Sequence, residues 1–295
     1  MSHPQDLSLV AQAVAIRRGD LDPVELLDAT LARVVERDGG PEGLNSIVDT
    51  FREHSRQMIA DAPNGPLRGV PLALKDMFSL PWRALRNGSS MEVMTASASG
   101  PFRRVRDSGA IVIGIANQHL LGAGGTGLAS AYGTHRNPWD PAHLPGGSSG
   151  GSAAAVSGHL VAAAARTLAT VALPAWAYGR ADRLRTLWRR TFAAAFADVD
   201  VLAWPTIAAP APRIDDPFAT FTRRGRIHID QANVALTVLG NITGVPGISV
   251  PVGLVRGLPV ALQLQGPWRE EGLLLDAAAR VEEQLGPLAP PPMAR

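Results

Sequence analysis

Gly69-Val70-Pro71-Leu72-Ala73-Leu74-Lys75-Asp76 is a short apolar run that closes on two charges. Such a run, opened by glycine and ended by charge, reads as a buried strand with polar chemistry at its tip. Lys75 is the only lysine among the 28 lysines and arginines of the chain. Arginine stays protonated in proteins, whereas a buried lysine amine can lose its charge and then accept a proton. Lys75 is therefore a candidate base. The plainer alternative is a lysine snorkelling from a strand end, its stem buried and its amine in water.

Working outward, Ala110-Ile111-Val112-Ile113-Gly114-Ile115 is a second buried-strand candidate, rich in β-branched residues. Asp22-Pro23 followed by Val24, Leu26, Leu27, Leu31 and Val34 predicts a capped amphipathic helix closed by Gly39-Gly40. Leu44 to Ala60 is expected to form a second helix, and Gly122 to Gly151, dense in Gly, Pro, Ser and Asn, a loop. Farther on, Ala181 to Phe196 predicts a helix and Asp198 to Pro205 a strand. Gly247 to Val252 and Leu258 to Leu264 predict paired strands, and Glu270 to Leu285 a last helix. Strands and helices mixed without internal repeats imply an α/β layered protein, expected as one domain over 1–295.

Composition narrows the function. With 295 residues, 46% hydrophobic and 18% charged, the chain can bury a large core and is not a disordered type. Net charge is only +2 and the arginines are scattered, which argues against a nucleic-acid surface. Having no cysteine excludes disulfides and thiolate chemistry. The seven histidines lack metal-ligand spacing, so no metal is expected. The long apolar stretch Ala153 to Trp176 holds His159 and Arg166, so it reads as buried core rather than a membrane span.

The densest chemical stretch is Gly146-Gly147-Ser148-Ser149-Gly150-Gly151-Ser152, followed by alanine-rich sequence. It could be a flexible linker, but the Asn137-Pro138-Trp139-Asp140-Pro141 turn before it and a predicted helix after it point to an ordered loop. Glycines ahead of a helix let backbone N–H groups converge on an anion. A nucleophile elbow at Gly147-Ser148-Ser149-Gly150-Gly151, partnered by Asp198 or Asp200 and His228, has the right chain order but no strand before it. Gly122-Ala123-Gly124-Gly125-Thr126-Gly127 matches GxGxxG but lies too far from the preceding strand for a dinucleotide site.

Lysine block and serine loop together resemble the amidase signature family of amide hydrolases. The resemblance runs through Gly69–Asp76, Gly109–Gly114, Tyr132-Gly133, Arg136–Pro141 and Gly146–Val156, and resumes over Asn241–Gly253 and Gly257–Gln263. It implies α/β/α layers around a mixed central sheet. It also implies a Ser–cis-Ser–Lys triad, with Lys75 as base and Ser148, preceded by a cis peptide bond, as bridging serine. Gly146, Gly147, Gly150 and Gly151 would shape the substrate loop. No cofactor is implied; the expectation is a cytoplasmic protein acting on a small amide, without nucleic acid or membrane, with a homodimer as an open assembly. A glutaminase-type amidotransferase component is a related option.

The pattern then breaks. Family members carry the nucleophile about two dozen residues later, in a Gly-Thr-Asp-x-Gly-Gly-Ser-Ile-Arg block that also forms the oxyanion hole. Here that position falls near Ala172, within Arg166–Pro174, where nothing matches; Thr170 is the nearest hydroxyl. After Ser157 the only serine is Ser249. Losing even one oxyanion donor typically costs about 10²–10³ in rate. The expectation is an internal deletion near 163–170 that reduces the sheet, leaves the nucleophile unknown with Ser149 and Ser152 as stand-ins, and impairs or abolishes activity. The rival expectation is a non-catalytic remnant or interaction protein.

Overall fold

The computed structural model describes residues 3–40, 42–161, 164–165, 175–286, 288–289 and 291–292. Ala172 and Thr170 lie outside them, as does most of the expected junction at 163–170. The chain divides into two compact units. The first comprises Met1–Ala169, Arg213–Asp215 and Pro290–Arg295, and the second Thr170–Pro212 and Asp216–Ala289.

In the first unit, α1 (Leu9–Arg18) and α2 (Pro23–Asp38) precede the strand β1 (Ile47–Thr50) and helix α3 (Arg52–Ala60). The Asp22 side chain caps α2 by accepting from the amides of Val24 and Glu25. Strand β2 (Pro71–Lys75), helix α4 (Gly100–Asp107), strand β3 (Ile111–Ala116), helix α5 (Gly150–Ser157) and the short β4 (Ala164–Ala165) follow. The sheet order is β1-β3-β2-β4. β1 runs antiparallel to β3, while β2 is parallel to both β3 and β4, so the sheet is mixed.

The single helix expected over Leu44 to Ala60 is instead a strand followed by a helix. Asp38, buried at the end of α2, accepts from the amides of Ser46 and Ile47 and from the Ser46 hydroxyl. Those contacts fix the chain in an extended path beside β3, a tertiary constraint that residue spacing does not encode.

Both faces of the sheet are covered. Leu72 and Leu74 pack with Val112, Ile115 and Phe102 of α4 on one face. Ala73 packs with Leu27, Leu31 and Val34 of α2 and Ala155 of α5 on the other. Side chains alternate along a strand, so Lys75, in phase with Ala73, belongs to the α5 face. A bulge in the β2–β3 register, where Ala73 pairs with Gly114, keeps Lys75 opposite Ala116.

The second unit contains α6 (Ala175–Ala195), β5 (Leu202–Pro205), the hairpin β6 (Phe218–Phe221) and β7 (Gly225–His228), and α7 (Ile229–Thr243). It ends with β8 (Gly247–Val255), β9 (Leu258–Gln265) and α8 (Glu271–Leu285). β8 and β9 pair as expected, in the antiparallel sense, and β5 adds to the far side of β9. Val250 and Leu264 pack against Leu274 and Ala278 of α8. The β6–β7 hairpin and α7 have no counterpart in the reading of the sequence. Among the described residues no helix is long and apolar enough to cross a membrane.

Candidate active site

Lys75 ends β2 with only 1% of its surface exposed. Its Nζ donates to Ser148 Oγ at 2.7 Å. The peptide bond between Gly147 and Ser148 is cis. Ser148 is half-buried and Gly147 exposed, so this stretch of the loop reaches the surface while the amine beneath it is buried.

The loop is held from both sides. The Ser148 carbonyl accepts from the His119 amide at 3.1 Å. Gly146 O accepts from His135 Nε2 at 3.3 Å. The His135 ring sits against Gly127 and Gly150, where a Cβ on either glycine would overlap it. Burial is the main reason that the His135 imidazole titrates at about 4; the Gly146 contact opposes the shift and is too weak to reverse it. His135 is thus neutral near pH 7, with its proton on Nε2, since a carbonyl can only accept. His119 Nδ1 accepts from the Gly127 amide at 3.1 Å.

Asp76, next to the lysine, is fully buried. Its Oδ1 accepts from Arg83 Nη1 at 2.7 Å and its Oδ2 from the Gly88 amide at 2.7 Å. Burial works against the Arg83 charge, yet the Asp76 carboxylate outweighs it and the guanidinium pKa rises. Arg83 also donates to Asp49 at 3.0 Å and to the Tyr132 hydroxyl at 3.3 Å. This network pins the 83–88 loop to the end of β2.

Of the residues singled out in the sequence, Lys75 and Ser148 meet directly. Gly150 and Gly151 open α5 two positions after Ser148. Gly151 lies so near the Asn117 backbone and Ser46 O that a side chain would clash. Gly146 adopts φ 94°, in the region that favours glycine. Ser149 occupies the N-cap of α5 without making a side-chain cap bond. The Ser149 and Ser152 hydroxyls are buried without a hydrogen-bond partner among the described residues. Residues 144–149 are loop, so the strand required by a nucleophile elbow is missing. His228 closes β7 and accepts from the Asp230 amide as the cap of α7, in the second unit with Asp198 and Asp200. Ser249 Oγ, on β8, lies 2.6 Å from Thr206 Oγ1. His119, His135 and Arg83 are supports that the sequence reading did not pick out. Their only signal was position, flanking the glycine-rich stretches and the lysine block.

A sequence model of the amidase family matches residues 41–167 and 163–275. The chain belongs to the amidase family. Among its relatives is a glutamyl-tRNA(Gln) amidotransferase subunit from Halorhodospira halophila, 38% identical over 165 residues, which cover 52% of this chain and 33% of that protein. Its counterpart from Thermobifida fusca is 35% identical over 161 residues, covering 51% and 32%. The matches thus span about a third of the length of these curated relatives. Among solved structures, 6-aminohexanoate cyclic dimer hydrolase complexed with substrate shares the fold at a TM-score of 0.79 and 20% identity, covering 100% of both chains. A bacterial aryl acylamidase of the amidase signature family does so at 0.75 and 17%, covering 96% of each. At these identities the likeness concerns the fold, α/β with a mixed sheet.

Proposed function

We propose that this amidase-family chain retains the base and the relay serine of carboxamide C–N hydrolysis, and that it hydrolyses amides slowly or not at all. The supporting observation is the 2.7 Å contact between Lys75 Nζ and Ser148 Oγ. In this reading the Lys75 amine, when neutral, takes the proton of Ser148. Ser148 in turn takes one from a nucleophilic hydroxyl attacking the amide carbonyl, and the proton passes to the departing amine. No Gly-Gly-Ser-Ile-Arg block supplies that nucleophile in this sequence. The two family matches overlap only at 163–167, which favours an internal deletion there.

The test is ammonia release from simple aliphatic and aryl carboxamides by the purified chain, with Lys75→Ala as control. Release far below that of a complete amidase supports the proposal; robust release abolished by Lys75→Ala sinks the impaired part of it. The amidotransferase alternative draws on the relatives' being subunits of glutamyl-tRNA(Gln) amidotransferase. Release from glutamine in preference to other amides would select it. An intact Gly-Gly-Ser-Ile-Arg block in the genomic DNA would make the deletion an artefact of the sequence.

A further inference from the structure

We infer that in this chain Ser148 is itself a nucleophile, forming with Lys75 a two-residue acyl-transfer centre for activated esters. The inference rests on the proposed role of Lys75 as base, but it gives Ser148 a different task from relaying a proton. Three observations carry it. Ser148 Oγ accepts from the Lys75 amine at 2.7 Å. Lys75 is buried while Ser148 is half-buried beside the exposed Gly147, so the serine, and not the base, is the partner that a substrate from solution meets. Two positions later α5 begins, with Gly150 and Gly151 in its first turn and its N-cap residue Ser149 making no side-chain cap bond. An uncapped helix start presents backbone N–H groups to a developing negative charge. The Ser152 hydroxyl of the same first turn is buried and has no hydrogen-bond partner among the described residues.

The chemistry balances with no reagent other than water. Ser148 Oγ forms a bond to the ester carbonyl carbon as its proton passes to the neutral Lys75 Nζ. The tetrahedral oxyanion collapses, the carbon–oxygen bond to the leaving group breaks, and the departing oxygen takes the proton from the Lys75 ammonium. Water, deprotonated by Lys75, then adds to the acyl carbon; the bond from that carbon to Ser148 Oγ breaks, Oγ takes the proton back from the Lys75 ammonium, and a carboxylic acid leaves. Esters with phenolate leaving groups need little protonation to depart. Amides need much more, and they also depend most on the oxyanion block that this sequence lacks.

The decisive experiment is intact-protein and peptide mass spectrometry of the wild-type chain after brief exposure to p-nitrophenyl acetate. With a single lysine in the chain, background acylation of amines is confined to Lys75 and the N-terminus. One acetyl group mapped to Ser148, accumulating faster as pH rises and absent in Lys75→Met and Ser148→Ala, is the expected result. Labelling at Ser149, Ser152 or the amines alone, or no labelling, would overturn the inference. Because the mapping uses the wild-type protein, it holds even if a variant does not fold. Acetylation of Ser148 without ammonia release from amides would support the inference and leave amide hydrolysis unsupported. Ammonia release without acylation at Ser148 would do the reverse.

Discussion

Lys75 Nζ and Ser148 Oγ are 2.7 Å apart although 73 positions separate them in the chain. The contact follows from strand parity, since Lys75 lies on the same sheet face as Ala73, and Ala73 shares a core with Ala155 of α5. Lys75→Met keeps the volume and removes the amine. Its stability is expected to stay within about 1.5 kcal/mol of wild type, as for volume-conserving core swaps. Lys75→Ala leaves a cavity and is expected to cost about 2–5 kcal/mol. Urea melts of the two variants check this. A Met variant as unstable as the Ala variant would show that the amine, not the packing, holds the site.

The buried Asp76–Arg83 pair invites a different test. Arg83→Leu would strand a fully buried carboxylate, with an expected loss of about 3–5 kcal/mol. Adding Asp76→Asn should restore part of that loss, because the buried charge then disappears while the Gly88 amide keeps an acceptor. A double variant no more stable than Arg83→Leu would contradict the charge argument.

His135 sets a pH dependence. Its folded pKa is about 4, against an ordinary value of 6.5, mainly because of burial. The unfolded chain therefore binds a proton between those values that the folded chain refuses. This contribution to stability is complete above about pH 6.5 and is lost as pH falls towards 4, on the order of 3 kcal/mol in all. His135→Gln can still donate to Gly146 O but does not titrate. Chemical denaturation from pH 4 to 7 should show a shallower slope for this variant, and equal slopes would refute the assignment.

Gly150 tests the packing of the serine loop. A methyl group there would overlap the His135 ring, so Gly150→Ala is expected to cost about 1–3 kcal/mol or more. Combining it with His135→Ala should cost less than the two single changes added together, a coupling measurable by a double-mutant cycle. Strict additivity would mean that the ring and the glycine do not press on each other.

Asp38→Ala would leave the Ser46 and Ile47 amides unpaired at the start of β1. Each buried donor left unsatisfied costs about 1–3 kcal/mol. A destabilisation of several kcal/mol in thermal or urea melts is the expected outcome, and a change near zero would mean that water satisfies both groups.

Those contacts also mark the limit of what the sequence revealed. β2 and β3 were legible because both faces of each strand are buried, leaving an unbroken apolar run. α2 was legible from its cap and its apolar spacing. β1 was not, because its extended path is imposed by Asp38 from another element. The β6–β7 hairpin, with half of its residues exposed, gave no periodic signal either.

By itself the sequence determined the apolar runs, the caps, the single lysine and the glycine-serine block, since these depend on residue types at short spacing. It also determined that the family's nucleophile block is missing. Only the tertiary structure decided that Lys75 faces α5 rather than α4, that its amine reaches Ser148, and that a neutral His135 is lodged among glycines of the serine loop. Those outcomes depend on strand parity, a register bulge and burial, which combine residues tens of positions apart and leave no local trace in the chain.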